Sequence, residues 1–352
     1  MKLTKKYALG VLVQFYEIEM FKTDYIDGLL NMLKDIENPE NITFDFVYNL
    51  REDFEKIDTD AILLKEDSVH NGYLYKEFYK ATAKIEKLGS KVNHQIFDLT
   101  YGDPPAIAWY RRNFNYRYAD EVDFLMWGET DSVFPSQTFE AIEQISTYAE
   151  QNKICRYVIS FAYRKMWDAG WKAIEHPEFT NVVFEDTDEW NLHNPASEKC
   201  YMSIEQMNEL NARYTKDGYD IITLKEPKFD GSCVVFSSDL IKMGVNIPHA
   251  LLMSGEDTSF AVAAKQMLGD NYIQFHIKNL LRIHNRRHPK KRMYVKNENN
   301  PQGFCGTKDK GMWWAVLVQW SKENLNNLYN PQFKFHTWDE YFTSMIQQGF
   351  LK

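Results

Sequence analysis

The sequence predicts an α/β protein: a mixed sheet flanked by helices, with an irregular insertion and a helical C-terminal tail. Three observations lead there. Through the first half, apolar segments of strand length alternate with longer segments whose apolar residues recur at three- and four-residue spacing, the pattern that builds a sheet with helices on its faces. One strand-like segment, Val122–Trp127, runs directly into the acidic turn Gly128-Glu129-Thr130-Asp131. The 352 residues, 44 % of them hydrophobic and 15 % aromatic, suffice to fill one large domain or two modest ones.

Taken in order, Tyr7–Phe15 reads as a first buried strand and Asp24–Ile36 as an amphipathic helix. Ile42–Tyr48 is a second strand, Tyr73–Leu88 a helix and Val92–Leu99 a third strand. Ala106–Tyr118 is helical, Val122–Trp127 is a strand, Pro135–Gln151 a helix and Arg156–Ala162 a strand. From Trp167 to Lys228 the pattern is irregular and rich in Asn, Asp, Glu and aromatics, as expected of an insertion over a site. Regularity returns with the strand Cys233–Ser237, the helix Ser259–Leu268 and the strand Tyr272–Ile277. A basic loop, Arg282 to Lys296, and an Asn-rich stretch through Gly306 precede two tail helices, Met312–Leu328 and Trp338–Gln348. The expected organisation is a main domain over 1–290, with the insertion at about 167–228, and an extension over 291–352 packed on it.

Asp and Glu outnumber Lys and Arg by 50 to 41, which argues against a protein that coats nucleic acid by charge alone but not against a local basic surface. The cysteines, Cys155, Cys200, Cys233 and Cys305, are far apart and form no CxxC pair, which suits a reducing compartment better than a zinc knuckle or a disulfide framework. Lys2, Lys5 and Lys6 before an apolar run imitate a signal peptide, but the run is short, ends at Glu17 and Glu19 and lacks a small-residue cleavage site. No stretch reaches the roughly 20 apolar residues of a membrane span. A soluble, cytoplasmic protein with no membrane partner is expected.

Chemistry concentrates in three places. The first is the acidic turn: two carboxylates one residue apart, at the carboxyl end of a strand, stand where open α/β folds bind ligands. Their hard oxygens suit Mn²⁺ or Mg²⁺ bridging a diphosphate. Alone, such a pair is most often a solvated turn. The second is Gly255-Glu256-Asp257-Thr258-Ser259-Phe260. A carboxylate at a helix start is kept ionised by the helix dipole, and it serves either as a capping acid or as a general base. The third is the run from Arg282 through His284, Arg286, Arg287 and His288 to Lys290, Lys291 and Arg292. Its imidazole suits a third metal ligand beside carboxylates, and its cations suit an anionic ligand or a solvated face.

The order of these blocks resembles the GT-A glycosyltransferases, particularly their large inverting family. Arg112-Asn113, then Ala119, an acidic residue and the strand, resemble the family's Arg-Asn…Ala-Gly…strand…Asp-x-Asp run. Glu129-Thr130-Asp131 stands in the Asp-x-Asp position and Ser132-Val133-Phe134-Pro135 continues into the next helix. The first position is Glu where that family has Asp, so Asp131 is the better match. Gly231-Ser232 and the strand after them, then the Gly255–Phe260 turn, resemble the family's glycine-rich strand and its Gly-Glu-Asp-x-x-Phe motif. The resemblance covers roughly residues 7 to 290 in order.

It implies the following roles. Glu129, Asp131 and His284 hold a divalent metal, and Asp257 is the general base for sugar transfer with inversion. Gln14, Phe15, Tyr16 and Asn49, at the ends of the first two strands, bind the nucleotide together with Arg112, Asn113, Gly231 and Ser232, a UDP-sugar being the first donor expected. Glu256, Trp167, Trp171, Arg286, Arg287 and Lys290 face the acceptor. His276, inside a strand, reads as a core residue. The acceptor is either a glycan or hydroxymethylcytosine in double-stranded DNA; the Lys-, Asn-, Ile- and Tyr-rich usage resembles AT-rich bacteriophage coding, which would place a DNA-modifying member in the host cytoplasm. Two other classes compete. A nucleotidyltransferase wants a glycine-rich, cationic loop where this chain has Gln14-Phe15-Tyr16-Glu17, and a non-catalytic carbohydrate- or DNA-binding module has no need of Asp257.

Overall fold

A computed structural model describes residues 1–14, 18–50, 71–98, 106–165, 202–228, 231–253, 255–284 and 308–348. Its centre is one nine-stranded sheet of order β3-β2-β1-β4-β8-β6-β9-β5, with β7 also pairing β9. The strands are β1 Tyr7–Gln14, β2 Ile42–Leu50, β3 Lys91–Asp98, β4 Phe124–Gly128, β5 Ser132–Val133, β6 Val158–Lys165, β7 Ile221–Leu224, β8 Cys233–Ser237 and β9 Gln274–His284. β1, β2, β3 and β4 run parallel, β8 runs antiparallel between β4 and β6, and β6 and β9 are again parallel. This is the mixed α/β sheet flanked by helices that the sequence predicts.

Period-two alternation decides which face each strand residue serves. Leu9, Val11 and Val13 of β1, Phe124 and Met126 of β4, and Cys233 and Val235 of β8 bury on one face. That face is covered by the short α1 (Ile18–Met20), α2 (Ile26–Leu33), α3 (Asn71–Glu86) and α5 (Thr138–Gln151). Ala8 and Leu12, Leu125 and Trp127, and Val234 and Phe236 bury on the other, under α4 (Ile107–Tyr118), the one-turn α7 (Asp239–Lys242) and α8 (Glu256–Leu268). Buried aromatics run through both faces, and Trp127 packs edge-on against Phe236 and Phe260 at 5.3 and 5.0 Å.

Three expectations are corrected. The expected helix over Asp24–Ile36 begins as a π-helical turn at Phe21–Tyr25, and the regular α2 occupies Ile26–Leu33. The insertion is not irregular throughout, because 202–228 contains α6 (Ile204–Thr215) and the edge strand β7. α6 carries a Ser203/Gln206 capping box but buries only Met207 and Asn211 among its own residues, so its apolar stripe is too thin to read. The expected strand Tyr272–Ile277 runs on to His284, so Arg282 and His284 belong to β9 and not to a loop. A bulge hides the continuation: Phe161 pairs with Ile277, whereas the next residue, Ala162, pairs with Leu281. Asn279, in the bulge, accepts from Asp220 N and donates to the carbonyls of Tyr214 and Gly218, which fixes the irregularity in place.

The segment 246–253, which leads to α8, is held from two sides. Arg112 of α4 donates to the carbonyls of Pro248 and Leu251 at 2.9 and 3.3 Å, and Ala108 N donates to Met253 O. From the other side α9 (Lys308–Asn326) offers Ser321 Oγ to the backbone N–H groups of Leu252 and Met253, both at 3.1 Å, and Asn324 donates to Ala250 O. α10 (Trp338–Gln347) closes this cluster through Tyr341, which is fully buried with Leu317, Leu252 and Met253. No helix among the described residues is long and apolar enough to cross a membrane.

Candidate active site

Strand direction gathers the site. The acidic turn follows β4, whose last residue, Gly128, pairs with Cys233 at the start of the antiparallel β8. Reversal of β8 therefore brings Gly231 and Ser232, which precede it, to the edge where β4 ends. β9 runs parallel to β6 and antiparallel to β5, and its final residue, His284, pairs with Ser132. Three segments distant in sequence thus converge on the carboxyl edge of β4, the location open α/β sheets use for ligands.

At this edge Glu129, Asp131 and His284 each offer one ligand atom, all within 4.8 Å of one another. His284 Nε2 lies 2.8 Å from Asp131 Oδ1 and 3.7 Å from Glu129 Oε2. Octahedral coordination at metal–oxygen distances of 2.0–2.1 Å puts neighbouring ligands about 3 Å apart and opposed ones about 4 Å apart, so these separations fit one small divalent ion. The donor set of two carboxylates and one imidazole suits Mn²⁺, and Mg²⁺ through the oxygens. Asp131 and His284 are 7 % and 5 % exposed and Glu129 is half-buried, so the triad is largely shielded from water.

Asp257 stands on the first turn of α8, against Gly231. The turn enters through Gly255, whose φ of +89° lies in the left-handed region that favours glycine. Asp257 Oδ1 accepts from Thr258 N at 2.7 Å, leaving Oδ2 toward Gly231. A Cβ on Gly231 would sit 2.6 Å from that oxygen, so the absence of a side chain at 231 is what lets the carboxylate lie there. Its neighbour Glu256 turns inward instead. It is 5 % exposed and accepts from Arg111 Nη1 at 2.5 Å, while Arg111 Nη2 donates to Glu129 at 3.3 Å. Burial pushes the Glu256 carboxyl above its ordinary range, Asp257 and Glu129 add to the push, and Arg111 opposes it. Burial also weighs against the charge of Arg111, but Glu256, Glu129 and Asp257 outweigh it and hold the guanidinium above its ordinary value.

The other residues singled out in the sequence fall as follows. Gln14 and Asn49 are register partners near the ends of β1 and β2, beyond the level of Gly128. Arg112 is buried against the 248–251 carbonyls and Asn113 is half-buried beside it on α4. Ser232 is 2 % exposed and accepts from Arg282 Nη1. His276 is fully buried, its Nδ1 2.9 Å from Ser160 Oγ, as a core histidine. Phe15, Tyr16, Trp167, Trp171, Arg286, Arg287 and Lys290 lie outside the described residues.

Two arginines escape the sequence reading. Arg111 shares with Ala108, Asn115 and Tyr118 the three- and four-residue spacing of the buried side of α4, and a charge in that stripe is the signal that marks it. Arg282, 1 % exposed, donates to both Ser132 and Ser232 and lies over the Tyr163 ring at 5.4 Å. It ties the strand after the acidic turn to the residue beside Gly231. Read as part of a basic loop, it was hidden by the bulge in β9.

No protein-family profile matches the chain, and no curated protein matches its sequence. Among solved structures it is similar to S. aureus TarS 1-349, over 98 % of this chain and 72 % of that one, at 10 % identity and a TM-score of 0.40. A second S. aureus TarS structure aligns over 98 % of this chain and 43 % of that one, at 11 % identity and the same TM-score. A likeness of that size carries no argument about chemistry, which rests on the residues above.

Proposed function

We propose that this chain is a metal-dependent glycosyltransferase of the GT-A type, moving a sugar from a nucleotide-sugar to an acceptor hydroxyl with inversion. The observation that carries the reading is the convergence, on one sheet edge, of a three-residue metal-ligating set with a carboxylate free to meet an acceptor. Glu129, Asp131 and His284 would hold Mn²⁺ or Mg²⁺, which when bound neutralises the donor diphosphate as it leaves. Asp257 Oδ2 takes the proton of the acceptor hydroxyl as its oxygen bonds to the anomeric carbon and the bond from that carbon to the diphosphate breaks. Thr258 N, through Oδ1, keeps the carboxylate aimed. Gln14 and Asn49, with Phe15 and Tyr16, are assigned to the nucleotide, and a UDP-sugar is the first donor to try.

The domain runs over 1–290 with 291–352 as an extension, and the protein works in the cytoplasm, that of the host if it is phage-encoded. The acceptor is a glycan or hydroxymethylcytosine in DNA. Arg286, Arg287 and Lys290 are assigned to phosphates in the second case, which gives a log–log salt slope of about −0.9 per neutralised phosphate in duplex. The test is transfer of labelled sugar to hydroxymethylcytosine DNA, plain DNA and oligosaccharides by wild-type protein and Asp257→Asn. Turnover should fall at least about 10²-fold in the variant while donor affinity holds. Unchanged turnover would return Asp257 to a helix-capping role, and no transfer to any acceptor would favour the binding-module reading.

A further inference from the structure

Arg111 acts from a position where it cannot touch a ligand. Its side chain is fully buried, and a guanidinium taken out of water must be paired. The pairing is divided between two halves of the site. Nη1 donates to Glu256, on the turn that carries Asp257, and Nη2 to Glu129 of the triad, while the Trp127 ring covers the guanidinium at 5.0 Å. Glu129 is divided in the same way: Oε1 accepts from Arg111, and Oε2 faces His284 at 3.7 Å. One oxygen is thereby committed to the guanidinium and the other is left for the triad. An aspartate, one methylene shorter, would have to give up one of these contacts. Glu at the first acidic position, where the resembling family has Asp, is the residue the bridge requires.

We infer that Arg111 is a positioning residue coupling the metal triad to the first turn of α8, so that Glu256 governs, through Arg111, how Glu129 presents Oε2 to a metal ion. The inference rests on the reading of Glu129, Asp131 and His284 as the metal-holding set. When Glu256 loses its charge, Arg111 keeps Glu129 as the carboxylate it touches and draws it inward. Metal affinity then falls although Glu256 is not a ligand. Loss of a nearby negative charge also weakens cation binding through its field alone, so a single substitution does not decide the matter and a cycle does.

The probe is Mn²⁺ alone, titrated calorimetrically into wild-type protein, Glu256→Gln, Arg111→Met and the double variant, with melting temperatures as the check on folding. Glu256→Gln should weaken Mn²⁺ binding about fivefold or more in the wild-type background, and less than about twofold in the Arg111→Met background. Equal losses in both backgrounds, or no loss in the first, would overturn the coupling. If Arg111→Met leaves Glu256 without its cation and does not fold, Glu129→Asp replaces it, because it keeps a carboxylate while shortening the reach to Arg111. The expected and contrary outcomes are then the same. Asp131→Ala separates the two levels of failure. If wild-type protein binds no Mn²⁺, or Asp131→Ala binds it equally well, the metal reading fails and the coupling with it; if Asp131→Ala abolishes binding and the cycle is additive, the coupling alone fails.

Discussion

Gly231→Ala tests the positioning of the base with the smallest possible perturbation. The added Cβ would meet Asp257 Oδ2 at 2.6 Å, Cγ at 2.9 Å and Cβ at 3.0 Å, where ordinary contact begins at 3.4 Å. A single crowded oxygen would rotate away. Three atoms crowded in succession require the whole side chain, or the first turn of α8, to retreat by several tenths of an ångström. Overpacking of this kind costs roughly 1–3 kcal/mol of stability, so the protein should still fold. Catalysis suffers as well: a 1 Å misplacement of a reacting group is worth about 10²-fold in rate, so a retreat of several tenths of an ångström is worth about tenfold. Steady-state sugar transfer should therefore show turnover down by about tenfold, with Mn²⁺ affinity near wild type. Wild-type turnover in a folded Gly231→Ala protein would refute the placement of Asp257 as the base.

Other substitutions separate the parts of the site. Asp131→Ala should weaken Mn²⁺ binding by at least about tenfold in a calorimetric titration, since even the outer partners of metal ligands are worth that much. Glu129→Ala should cost less, because Glu129 is more exposed and farther from His284 Nε2. Ser321→Ala removes the acceptor shared by the N–H groups of Leu252 and Met253 and should cost about 1–3 kcal/mol, read as a fall of several degrees in melting temperature. His94, bonded to Thr82 Oγ1 at 2.6 Å, is lowered below its usual 6.5 by burial, against the pull of Glu86 and Asp45. Its folded pKa lies beneath its unfolded one, so its contribution is complete above 6.5 and is lost as pH falls through the folded value. His94→Gln should flatten the loss of stability below that pH in urea melts.

Much of this arrangement is legible because strands buried on both faces read as short continuous apolar runs. β1, β4 and β8 each split their apolar side chains cleanly between two helical layers. The acidic turn after β4 and the Gly255–Phe260 turn were legible as local motifs. Partnership across the sheet was not. Nothing in the sequence around Gly231 announces that β8 runs antiparallel and so carries that residue to the edge shared with Asp257. The sequence marks His284 as a ligand but not as a strand residue, because the bulge fixed by Asn279 interrupts the alternation of β9. Of the paired arginines on α4, sequence favoured Arg112 for the donor, whereas the turn of the helix sends Arg112 to the 248–251 carbonyls and Arg111 to Glu129 and Glu256. One residue is 100° of helical rotation, which a motif read linearly does not register.

The central claim, that the triad binds a nucleotide-sugar through a divalent metal, is tested most directly by thermal melting of the wild-type protein with UDP-, GDP-, CMP- and dTDP-sugars, each with Mn²⁺ and with EDTA. A ligand that binds only the folded state raises the melting temperature by mass action, by about 2.7 kcal/mol of stability at a hundred times its dissociation constant. The account predicts a rise of several degrees for one nucleotide class with Mn²⁺ and none with EDTA. An equal rise in EDTA, or no rise with any donor, would contradict it.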